Sequence, residues 1–88
     1  MLSTIIEVLG WYGTVVIVGA YALTSFGMVS PKSILYQALN FTGSIGIIIA
    51  VLPKQAYQPA VLNTVWAIIA ALAIGRIIRG RLVKKSRT

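Results

Sequence analysis

An all-α fold, a three-helix transmembrane bundle, is what this sequence predicts, and three observations predict it. Three apolar runs, over residues of about 4–28, 31–52 and 58–78, are each long enough to cross a hydrocarbon core of about 30 Å at 1.5 Å per residue. Little lies outside them except two short turns and a basic tail over residues 79–88. Charged residues make up only 10% of the chain against 58% hydrophobic, where soluble domains carry about 25% charged residues. The chain therefore reads as one transmembrane domain, 1–88, with no internal repeat and no low-complexity segment.

Helix 1 begins near Ser3 or Thr4, either of which can accept from exposed N–H groups, and ends near Gly27. Trp11 and Tyr12 fall about two turns in, at a depth where rings with a polar edge are favoured if that end lies at the interface. Ser30-Pro31 predicts the start of helix 2, serine as cap and proline at the first helical position, where its missing N–H costs nothing. Pro53 and Lys54 break that helix after Leu52. Gln58-Pro59 repeats the same start for helix 3, whose basic end suits the negative pole of the helix dipole. Turns this short force neighbouring helices to run antiparallel. The sequence does not choose between a central helix 2 and direct packing of helix 1 on helix 3.

Charge sets the expected orientation. Six of the eight basic residues, Arg76, Arg79, Arg81, Lys84, Lys85 and Arg87, follow the third apolar run. Lys and Arg stay on the cytoplasmic side and attract anionic headgroups, so membrane lipids are expected partners, with a cytoplasmic C-terminus and an outer N-terminus. Lys32 then lies inside and Lys54 outside. The tail lacks the interleaved aromatics that stack bases, so no nucleic-acid partner is expected. The N-terminus shows no basic region before a short apolar core and no small-residue cleavage site, so helix 1 is expected to remain. The location that follows is integral to a membrane, with the tail on its cytoplasmic face.

Composition also limits chemistry. There is no His, Cys or Asp, and Glu7 is the single acid. Disulfides, thiolate chemistry and the common metal ligands are missing, and one carboxylate cannot make an acid/base pair. No enzyme, cofactor or metal is expected.

In lipid, helices associate through close packing and a few hydrogen bonds, so small residues mark the seams. Gly10, Gly13, Ile17, Ala20, Thr24 and Gly27 recur on helix 1 at steps of three and four. Ala60, Asn63, Ala67, Ala70 and Ile74 do so on helix 3, and Asn40, Gly43 and Gly46 on helix 2. Gly10, Gly13, Ala20, Gly43, Ala67 and Ala70 are the predicted packing residues. An amide facing lipid is costly, so Gln37, Asn40 and Asn63 should point inward or toward a partner. They read either as interhelical hydrogen bonds or as the lining of a small polar pocket, with Trp66 and Tyr21 or Tyr36 as flat walls. Amide plus aromatic is the chemistry that binds neutral hydroxylated solutes. The candidate binding residues are Tyr21, Gln37, Asn40, Asn63 and Trp66. Counted from the helix starts, Gln37 and Asn40 fall toward the cytoplasmic side and Asn63 toward the outer side.

Ala20-Tyr21, Ser25, Gly27, Tyr36-Gln37, Asn40, Gly43, Asn63 and Trp66 together resemble an uncharacterised bacterial family of small integral membrane proteins. Its most specific pieces are the YQxLN segment at Tyr36 to Asn40 and the LNxxW segment at Leu62 to Trp66. This family resemblance implies the bacterial inner membrane as the location. The layout also resembles the SemiSWEET half-transporters of the PQ-loop class, which form parallel homodimers around a sugar pocket lined by Asn and Trp. That resemblance implies a solute site with Asn63 at the position of a pocket asparagine. The Pro-Gln pair of that class is absent, since Leu23 to Phe26 hold no proline, and Trp66 lies on helix 3 where that class uses helix 2. Three helices cannot enclose a conduit, so a homodimer or a larger membrane complex is expected. Two functions follow: a SemiSWEET-like protein that binds or passes a small neutral solute across a homodimer, or an accessory subunit that braces a larger complex, with the small-residue stripes as docking faces.

Overall fold

Backbone N–H and C=O groups have no water to bond in hydrocarbon, so a spanning chain satisfies them within each segment, as helix. The computed structural model describes residues 2–86, with side chains through Lys84, and in it this chain forms three helices: α1 (Leu2–Ser25), α2 (Ile34–Val51) and α3 (Tyr57–Ser86). All three are long and apolar enough to cross a membrane, and the chain is a small all-α membrane protein. Arg87 and the side chain of Lys85 lie outside the described residues.

The helix ends differ from the sequence reading in instructive ways. α1 stops at Ser25, and Gly27 then takes φ +72°. The Met28 N–H donates to the Leu23 carbonyl at 2.9 Å and the Gly27 N–H to the Thr24 carbonyl at 3.1 Å, the paired closure that a left-handed residue makes possible at a helix end. α2 begins three residues after Pro31. The Ser33 N–H donates to the Ser30 carbonyl at 3.0 Å, so Pro31 occupies the second position of a β-turn, which its fixed φ suits as well as a helix start. Ser33 is the cap instead of Ser30, accepting from the Tyr36 N–H at 3.2 Å. α2 tightens into a 3₁₀ turn at Leu52–Lys54 and closes through Gln55, at φ 55°. α3 starts at Tyr57, which places Pro59 third, still within the first turn where N–H groups have no helical partner. It then runs past Ile78 to Ser86, because Arg, Leu and Lys propagate a helix well and cations favour its C-terminal end. Most of the basic tail is therefore helix.

α2 is the middle element. It packs against both α1 and α3, and no comparable interface joins α1 to α3 among the described residues. The molecule extends 51 × 24 × 24 Å. Its core is made of small side chains: the buried apolar residues are Ala20, Ala50, Ala60, Ala67 and Ala70. Leu2, Val18, Phe26, Leu72 and Leu82 are all more than 60% exposed. A water-soluble bundle would invert this order. In lipid, burying a leucine gains nothing, and close backbone approach is what holds helices together.

Candidate functional site

The α1–α2 seam is a close approach of two helix backbones. A Cβ on Gly13 would strike the Gly43 carbonyl oxygen, and one on Gly46 would lie 2.6 Å from the Leu9 carbonyl oxygen. One on Gly10 would lie 2.7 Å from the Ala50 Cβ. Only glycine fits these positions. Tyr12 and Thr42 close the edge of the seam at 3.1 Å. Thr42 Oγ1 donates to the Ala38 carbonyl at 2.9 Å, so its single proton is taken and the tyrosine is the donor. At one end of the seam Lys54 Nζ meets Glu7 Oε2 at 3.4 Å, with both side chains about 60% exposed. The antiparallel hairpin brings these two together, and their shared end was the sequence signal for the pair.

The α2–α3 seam carries the polar residues. Trp66 Nε1 donates to Asn40 Oδ1 at 3.3 Å, and Asn40 Nδ2 donates to the Tyr36 carbonyl at 3.2 Å. Asn40 is 5% exposed. Asn63 Nδ2 donates to the Pro59 carbonyl at 2.8 Å, and Thr64 Oγ1 to the Ala60 carbonyl at 2.7 Å. Ser44 is fully buried, and its hydroxyl has no partner.

The five candidate binding residues are thus distributed unequally. Asn40 and Trp66 are joined directly. Asn63 lies three residues from Trp66, about 4.5 Å along the axis, so Asn40 and Asn63 share a depth instead of lying on opposite sides of the membrane. Counting from helix starts misplaced them because α2 runs on past the beginning of α3. Tyr57, nine residues before Trp66, is level with about Ile49. Gln37 turns back toward the start of α2, where Nε2 donates to the Pro31 carbonyl at 2.9 Å. Tyr21 is 69% exposed on α1 and apart from the others. Five surface grooves among the described residues are lined by other side chains than Tyr21, Asn40, Asn63 and Trp66.

Of the six predicted packing residues, Gly13, Ala20, Gly43, Ala67 and Ala70 are buried and Gly10 is half-buried. They lie between the helices of this one chain. The stripes are therefore already occupied, and any docking face for a larger complex has to lie elsewhere. Arg76, Arg79, Arg81 and Lys84 are all exposed on the last turns of α3.

A family model matches residues 6–81. No curated protein and no solved structure matches the chain.

Proposed function

This chain belongs to that uncharacterised family, and we propose that it works as an accessory subunit that braces or assembles a larger complex in the bacterial inner membrane. The observation that carries this reading is that the polar side chains are engaged with partners inside the chain. Asn40, Asn63 and Gln37 each hold an internal carbonyl, and Asn40 also takes the Trp66 N–H. A solute would meet amides already turned toward these internal partners, with only their remaining hydrogens and oxygens open to it. What remains free is helix surface: broad apolar faces on α1 and α3, each of which packs mainly on α2 among the described residues. The reading leaves out catalysis, since the chain offers no His, Cys or Asp and only one acid. It keeps the N-terminus outside, because Lys54 is paired with Glu7 while Lys32 and the α3 cations gather at the other end.

One observation favours a second reading, the SemiSWEET-like homodimer that binds or passes a small neutral solute. Trp66 is 45% exposed, and it shares a depth with Asn40 and Asn63, so a second copy against α3 would enclose a ring and amides at mid-membrane. Gentle extraction from the native membrane and measurement of the particle mass separates the two. Co-migration with other polypeptides in a large particle is the expected result. A particle of two copies alone would overturn the accessory reading in favour of the second.

A further inference from the structure

The cationic end of the molecule holds a groove of about 590 Å³ between the turn before α2 and the middle of α3. Lys32 and Arg76 line it from the two sides, with Gln37 beside them and Ile69, Leu72 and Ala73 as its apolar wall. Arg76 is nineteen residues past the start of α3, about 28 Å at the helical rise, which puts it at the edge of a core of about 30 Å. Ile69, Leu72 and Ala73 then lie one to two turns inside the hydrocarbon. The groove thus has two cations at headgroup level directly above an apolar channel at acyl-chain level.

Among the described residues no acidic side chain lies beside these two cations. The only acidic side chain is Glu7, and it is held by Lys54 at the opposite end. A second copy packed in parallel would bring its own Glu7 to that same far end, so it could not neutralise them either. We propose that this groove binds one anionic phospholipid, with its phosphate between Lys32 and Arg76 and an acyl chain against Ile69, Leu72 and Ala73. Gln37 uses one amide N–H on the Pro31 carbonyl and keeps the other for a headgroup oxygen. This goes beyond diffuse attraction of the basic tail to the membrane, because one of its two cations comes from the turn before α2 and its wall is apolar. A bound lipid would also tie α3 to that turn at the end where α3 leaves the membrane.

The test uses the full chain in neutral detergent, titrated with dioleoyl-phosphatidylglycerol and followed by native mass spectrometry. The wild type is expected to take one saturable lipid, to ignore dioleoyl-phosphatidylcholine, and to keep its lipid in excess inorganic phosphate. Lys32→Gln with Arg76→Gln should weaken binding roughly thirtyfold, at about 1 kcal/mol for each cation. Ala73→Trp, which fills the channel and leaves every charge in place, should also weaken it. Arg81→Gln with Lys84→Gln should change it little. Helix content by circular dichroism checks each variant, and if the double variant at Lys32 and Arg76 misfolds, the Ala73→Trp comparison decides. Equal losses in both charge pairs would reduce the effect to diffuse attraction and overturn the site. So would displacement by inorganic phosphate, or a groove that Ala73→Trp shows to be filled by a second copy, with dimer lost and lipid binding unchanged.

Discussion

Gln55 holds the one positive φ among the described non-glycine residues, at 55°. It closes α2 as Gly27 closes α1: the Ala56 N–H donates to the Val51 carbonyl at 3.2 Å and the Gln55 N–H to the Leu52 carbonyl at 3.0 Å. The two ends have the same bonding pattern, but only one uses the residue that enters the left-handed region without a Cβ clash. Gln55→Gly is therefore expected to stabilise the protein by about 1 kcal/mol, and Gly27→Ala to destabilise it by a similar amount. Reversible unfolding in mixed micelles reads both. No gain from Gln55→Gly would mean that this backbone carries no strain. The same scale explains the quiet hydroxyls: Thr14, Thr42 and Thr64 each donate to the carbonyl four residues back, which satisfies them without a partner helix.

Helices here are held by what is missing from their side chains. Gly13 and Gly46 sit where a methyl group would meet backbone oxygen, whereas Gly19 and Gly75 have nothing within 4 Å of an added Cβ. Gly13→Ala should cost about 1–3 kcal/mol, the usual range for overpacking where backbone cannot give. Gly19→Ala should be neutral or gain about 0.5 kcal/mol from helix preference. Matched stability measurements on the two variants check this contrast, and equal effects would show that the seam is looser than its geometry. Much of this was legible in the sequence. The length of the apolar runs gave the helices, and the steps of three and four from Gly10 to Ala20 gave the face of α1 that is buried. The order of the helices was not legible, because small residues stripe all three and would serve any pairing. Nor was the Trp66–Asn40 bond. It depends on how far α2 overshoots α3, which is set by the turn at Leu52–Lys54 and by Gln55, a residue whose identity does not advertise a left-handed backbone.

Charge is arranged on the scale of the whole molecule. One end carries Glu7 and Lys54, which cancel; the other carries Lys32, Arg76, Arg79, Arg81 and Lys84, with no acid among them. Replacing all six cations from Arg76 to Arg87 with Gln should leave Lys32 alone against a neutral pair, and the single orientation should give way to a mixture. Because the chain has no cysteine, a Ser3→Cys background offers one labelling site. A membrane-impermeant maleimide applied to intact cells would modify all chains before the substitutions and only a fraction after them. Full labelling throughout would show that orientation is set elsewhere. Charge does not enter one last consequence of the helix order. Among the described residues α2 is the main link between α1 and α3, so the chain is two hairpins sharing a middle strut. A force applied at the C-terminus, as by a protease that drags its substrate from the bilayer, peels α3 from α2 without loosening the glycine seam. Removal proceeds in two separate ruptures, and the α1–α2 hairpin survives the first.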